Sequence, residues 1–216
     1  MTKSEKRERM LEVIERLESL YPDAECALLY DKDPWRLLVM ARLSAQCTDK
    51  RVNEVSRELF SEFPTPESMA YGDLSRLEEL VRPCGLFRMK AANIRDASRV
   101  LVESYGGRLP DEMDDLLTLP GVGRKIANLL LGDIFKKPAI VCDTHMMRIC
   151  GRLGMYRESL KDPVAIERIL WELVPPEKGS DLCHRIVLFG REVCFARSPL
   201  CEGCPLSDIC SHRAQK

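Results

Sequence analysis

The chain has no apolar run approaching the ~20 residues that a membrane-crossing helix needs, so no such helix is expected. Its opening, MTKSEKRERMLEVIERLESLY, has no apolar block of signal-peptide type and carries several acids. A cytoplasmic protein in a reducing compartment is expected. Neither sign of charge is in excess: the net charge is −1 over 216 residues. Bulk charge therefore announces no polyanionic partner, and excludes none, because a field depends on where the charges sit. Repeats, low-complexity tracts and long flexible linkers are also missing. Apolar residues make up 45% and charged residues 31% of the sequence, which fits a folded chain with one large core or two modest ones. PAIVC is the only strand-like stretch, and it is too short and solitary to build a sheet.

What is present reads almost throughout as helix. RMLEVIERLESLY sets Met10, Val13, Ile14, Leu17 and Leu20 on one face. PWRLLVMARLSAQC begins with a proline suited to a first turn and is apolar enough for a central, buried helix. TDKRVNEVSRELFSEF has Thr48 or Asp49 as N-cap and Val52, Val55, Leu59 and Phe60 as its inner face. Two short capped helices follow, then a long one over MKAANIRDASRVLVESYGG that stops at paired glycines. Asp162–Pro163 is an N-cap with proline at the first helical position. The expected fold class is all-α, with short loops and a cysteine-rich terminal loop.

Ten cysteines in a reducing compartment point to metal or to buried thiols, not disulfides. Six of them, Cys26, Cys47, Cys84, Cys142, Cys150 and Cys183, are scattered singly, and most are expected in the core. The other four, Cys194, Cys201, Cys204 and Cys210, fall within seventeen residues as C-x6-C-x2-C-x5-C. Zinc usually takes two tight ligand pairs, and here only Cys201 and Cys204 form one. The longer arms to Cys194 and Cys210 favour an iron–sulfur cluster over zinc. Arg197, inside the same loop, is placed to be held toward a phosphate.

Two further stretches carry chemistry. In LPGVGRK, Gly121 and Gly123 bracket Val122 between two apolar helices. Such a turn either simply joins the helices or aims backbone N–H groups at a phosphate. Lys125 would lie in the first turn of the second helix, whose positive end disfavours a charged ammonium. Partial burial would lower its pKa further, and a lysine held neutral is a candidate nucleophile for an aldehyde-level carbon; the plainer alternative is a phosphate-binding or solvated lysine. In VCDTH, Asp143 is a natural N-cap, and its emergence from an apolar stretch would also suit it to relay protons or offset a cation. His145 and His184 are each read as lone histidines without an assigned role.

LPGVGRK, then VCDTH eighteen residues after the lysine, then the cysteine loop, together resemble the endonuclease III family, within the helix-hairpin-helix superfamily of DNA base-excision glycosylases. The likeness extends through LLVMARLSAQCTD, CGLFRMKAANI and LVPPEKGSDLCHRIVLFGREVC. It implies a six-helix barrel over residues 27–137, with the hairpin at about 113–132, and a second lobe from residues 1–26 and 138–216. That lobe would hold a [4Fe-4S] cluster on Cys194, Cys201, Cys204 and Cys210 in the loop 194–210. Duplex DNA with damaged pyrimidines or abasic sites would bind in a cleft between the lobes, with Lys125 and Asp143 on its opposite sides, and the protein would act as a monomer. Gln46 and Leu86 would fill the gap left by an extruded nucleotide. The activity implied is that of a bifunctional DNA glycosylase and abasic-site lyase acting through a lysine Schiff base. Arg88 and Met89 depart from the small polar residues of the best-known members, and Asp133 is a departure in the hairpin's second helix. Two rivals are a monofunctional mismatch glycosylase, which lacks a lysine at the position of Lys125, and a DNA-binding module without catalysis.

Overall fold

The structure is a computed structural model and describes residues 1–213. Among them all regular structure is helical: α1 (Lys3–Leu20), α2 (Pro34–Leu43), α3 (Asp49–Glu62), α4 (Pro66–Ala70), α5 (Leu74–Val81), α6 (Phe87–Tyr105), α7 (Met113–Thr118), α8 (Arg124–Asp133), α9 (Thr144–Arg152), α10 (Pro163–Trp171) and α11 (Gly179–Glu192). The all-α expectation holds. PAIVC runs extended and largely buried but joins no sheet.

Caps set most of these boundaries. Thr2 and Glu5 form a reciprocal capping box at α1, and Thr65 and Ser68 do the same at α4. Thr48, not Asp49, caps α3 by accepting from the Arg51 amide. Asp162 caps α10 with Pro163 at its first position. Each such cap contributes about 1 kcal/mol. Gly106 and Gly107 both take positive φ at the end of α6, and the Gly107 amide returns to the Leu101 carbonyl.

The chain divides into two compact units: Cys26–Phe135, and Met1–Glu25 together with the chain from Lys136 onward. In the continuous unit, α2 is the axis. Every residue from Leu37 to Leu43 except Arg42 is buried, and α2 packs against α3, α6 and α8. Each large apolar side chain buried there contributes about 1.5–3 kcal/mol. The Trp35 indole keeps a partner inside, donating to Ser98 Oγ at 2.9 Å. On α3 the buried positions are Val52, Ser56, Leu59 and Phe60; Val55, expected inside, lies a turn edge away and is only half-buried.

In the discontinuous unit α1 packs against α11. Met10, Val13, Ile14 and Leu17 are buried as expected, while Leu20 at the last position of the helix is exposed. Two arginines of α1 reach the end of the chain. Arg9 donates to the Leu153 carbonyl and to Ser211 Oγ at 3.0 and 2.8 Å. Arg16 donates to the Pro205 carbonyl and grips both carboxylate oxygens of Asp208 at 2.7–2.8 Å. That pairing holds the Asp208 carboxyl down to about 2.

Candidate functional site

The hairpin turn joins α7 to α8, and its two glycines do different work. Gly121 has φ +77°, and a Cβ there would sit 2.6 Å from Arg42 Nε and 2.8 Å from the Asn93 amide. Only glycine fits, for both reasons. Gly123 has φ −105° and ψ 176°, an ordinary extended conformation, and a Cβ there would meet nothing within 4 Å. This glycine leaves open space over the turn. The Val122 amide donates to the Leu119 carbonyl at 3.0 Å and its side chain is buried, so Val122 closes the turn and does not aim its N–H outward. Gly123 provides no side-chain cap for α8, which leaves the helix end suited to an external anion. Lys125 is the second residue of α8 and is exposed, so burial adds nothing there and its amine is open to an incoming sugar.

Gln46 and Leu86 share an unusual feature. Both are exposed, and both take left-handed backbone conformations, with φ 55° and 48°. Such values are uncommon for residues other than glycine and concentrate at functional sites. Gln46 lies on the link between α2 and α3. Leu86 opens α6 with 51% of its surface exposed, beside exposed Met89. The Phe87 ring next to it lies under two guanidinium groups, those of Arg82 at 5.3 Å and Arg88 at 5.6 Å. The result is an apolar tip flanked by cations. Beneath it Lys90 is fully buried, its ammonium donating to the Leu43 and Cys84 carbonyls at 2.8 Å each. Burial lowers the pKa of this amine.

In the other unit Asp143 caps α9, its Oδ1 accepting from the His145 and Met146 amides at 2.9 and 2.8 Å. His145 is not the lone histidine expected. Its Nδ1 lies 3.3 Å from Asp143 Oδ2, so the second carboxylate oxygen faces an imidazole. The Asp143 side chain is mostly enclosed, at 15% exposure.

From Asp143 the same helix runs to the cysteine loop. Arg148 donates to the Cys194 carbonyl at 3.0 Å, and Arg152 to the Phe195 and Ala196 carbonyls at 2.7 and 3.0 Å. Arg152 Nη1 also lies 3.2 Å from Cys194 Sγ. Sequence reasoning missed both arginines; the available signal was a pair of guanidinium groups four residues apart on an otherwise apolar helix. Cys194, Cys201, Cys204 and Cys210 line one cavity whose far wall includes Ile149, Phe189 and Leu206. The four thiols share this one cavity, which suits it to hold a polynuclear cluster. Burial raises the Cys204 thiol, and its three neighbouring thiols add to the rise. Four thiolates in this cavity therefore call for cationic metal among them. Arg197 is exposed on the loop, with a left-handed Ser198 after it.

Residues 39–176 match the HhH-GPD superfamily of base excision DNA repair proteins, and residues 194–210 match the iron–sulfur binding domain of endonuclease III. The chain belongs to the endonuclease III family of that superfamily, and its cofactor is a [4Fe-4S] cluster. It is 45% identical to the endonuclease III of Synechocystis over 206 residues, covering 95% of this chain and 93% of that one. Two solved structures are similar to it with a TM-score of 0.91 and 38% identity, covering all of this chain and 98% of theirs. One is a non-covalent endonuclease III–DNA complex. The other is a trapped endonuclease III–DNA covalent intermediate, an estranged-adenine complex.

Proposed function

We propose that the chain is a bifunctional DNA glycosylase and abasic-site lyase of base excision repair, taking oxidised pyrimidines from duplex DNA, with Lys125 as its nucleophile. The observation that carries this reading is the lysine itself. It stands in the first turn of α8, next to an uncapped helix end over which Gly123 leaves open space. The covalent DNA intermediate trapped for a similar protein supports the same chemistry.

A stacked nucleotide shields its sugar, so the damaged base must first leave the helix. Leu86, an exposed apolar tip between cations, is suited to wedge into the vacated step, and the Gln46 amide to pair with the orphaned base. The phosphate backbone is held by the hairpin's open N-terminal face at Gly121 and Gly123, with Val122 closing the turn, and by Arg197. The Lys125 amine attacks C1′, the base leaves, and Asp143, oriented by its two amide hydrogen bonds and His145, offsets the developing positive charge and moves protons. The resulting iminium acidifies C2′, and loss of that proton expels the 3′ phosphate. Cys194, Cys201, Cys204 and Cys210 hold the cluster, which pins the loop that carries Arg197. No bond is broken there. The enzyme works as a cytoplasmic monomer.

Borohydride reduction in the presence of abasic-site DNA should trap a covalent adduct. Lys125→Ala should abolish the adduct while the protein keeps its visible cluster absorbance. Adducts that persist in this variant would remove Lys125 from the mechanism. A mismatch glycosylase without lyase activity would give no adduct from the unaltered chain.

A further inference from the structure

Lys90, in the first turn of α6, is fully buried, and it holds backbone at the base of two exposed segments. Its ammonium donates to the Leu43 and Cys84 carbonyls at 2.8 Å each, and its amide donates to the Leu86 carbonyl at 3.0 Å. Leu43 is the last residue of α2, where the final carbonyls have no partner within the helix. One ammonium thus closes the end of α2 and the end of the short turn Arg82–Cys84 together. Gln46 stands three residues after Leu43, and Leu86 two after Cys84; both are exposed and left-handed. Gly85 also takes a positive φ, and a Cβ there would meet nothing within 4 Å, so no close packing fixes the chain at that point. Filling the core needs no charge here. Burying an ammonium against neutral carbonyls costs free energy that a methionine of similar shape would avoid. What the charge supplies is direction, because charge-assisted hydrogen bonds are short and fix where the carbonyls lie.

We propose that Lys90 is a positioning residue of the excision reaction, locking the Gln46 and Leu86 segments in register so that the amide and the apolar tip enter the duplex together. The proposal rests on the insertion roles given above to Gln46 and Leu86. In a duplex the vacated step has to be filled while the damaged nucleotide is outside, or the nucleotide returns to the stack. Two side chains already fixed relative to each other fill it without the cost of ordering each one separately. A misplacement of about 1 Å at such a contact costs on the order of 100-fold in rate. Single-stranded DNA has no partner base and no duplex step to fill, so Lys125 meets an abasic sugar there without either segment.

The test measures borohydride trapping on abasic DNA as the ratio of the duplex rate to the single-strand rate, with cluster-loaded protein well below its unfolding temperature. Lys90→Met keeps the volume and removes the side-chain donors, and its ratio should fall about tenfold. A general loss of core integrity lowers the active fraction alike on both substrates and leaves the ratio where it was. In a Gln46→Ala/Leu86→Ala background, Lys90→Met should lower the ratio further by under about twofold, since the groups it positions are gone. An unchanged ratio in Lys90→Met, or the same fold-loss in both backgrounds, overturns the proposal. Should Lys90→Met not fold, Lys90→Gln, too short to span both carbonyls, takes its place with the same expectation; failure of both to fold shows that the lysine serves the core and overturns the proposal as well. A Gln46→Ala/Leu86→Ala protein with the ratio of the unaltered chain strikes the insertion reading itself. A low ratio there beside an unchanged one in Lys90→Met strikes the lysine alone.

Discussion

Leu86 holds a left-handed backbone conformation that costs a residue with a Cβ about 1–2 kcal/mol, on a side chain that is half in water. Packing does not explain such a position, whereas a role in contact with another molecule does. Leu86→Gly should therefore raise the unfolding stability read from urea titration by about 1 kcal/mol, since glycine adopts this backbone freely, and should sharply reduce excision from duplex DNA. A variant that loses both stability and excision would show that Leu86 serves the fold. At this scale the sequence was informative about identity and poor on conformation. The family motifs marked Gln46, Leu86, Lys125 and Asp143, but nothing in one sequence shows that two of them are strained. Nor could it show that the His145 ring turns back to the Asp143 carboxylate. That contact depends on how a side chain is turned, which periodicity does not register.

The hairpin and α9 show how a short element divides its labour. Gly121→Ala would place a methyl group against Arg42 and Asn93 at φ +77°, and should cost about 1–3 kcal/mol or more in stability. Gly123→Ala should cost under about 1 kcal/mol, the loss of a tolerable N-cap, yet weaken DNA binding because the methyl group stands over the helix end. Paired denaturation and binding curves separate the two, and equal destabilisation would contradict the geometry. On α9, Arg152→Gln removes two carbonyl partners of the cysteine loop and the contact with Cys194 Sγ. Charged hydrogen bonds of this kind contribute about 1.5–3 kcal/mol, so this variant should lose its visible cluster absorbance in air faster than the unaltered protein. Helices were the most legible level: caps at Thr48 and Asp162 and the buried stripe of α1 follow from spacing and side-chain chemistry. The miss at Val55 against Ser56 reflects a buried face broader than the apolar stripe.

Across the molecule, burial displaces several weak acids the same way. It pushes the Cys26 and Cys84 thiols and the Tyr21 phenol up to about 12, and it raises Cys150, Cys183 and Tyr156 as well. In the unfolded chain the thiols ionise near 9 and the phenols near 10. The folded protein keeps these protons longer, so this stability is complete below about pH 9 and is lost as pH rises toward 12. Lys90 and Arg42, both lowered by burial, act in the opposite direction. Urea midpoints should fall as pH rises above about 9, and less steeply in Cys150→Ala; a flat profile would contradict the burial. The all-α architecture was readable in advance because apolar spacing carries it. The ties between distant segments were not, because they are made by arginines that look like surface residues in the sequence.

The arginines of α1 have a consequence for biogenesis. Cys26–Phe135 is one uninterrupted stretch, so it has all its own partners in hand while later residues are still being synthesised. Helix α1 is synthesised well before α11 and before Pro205, Asp208 and Ser211, the partners on which it docks. It must therefore wait for them, and iron can be loaded only after translation has passed the cysteine loop.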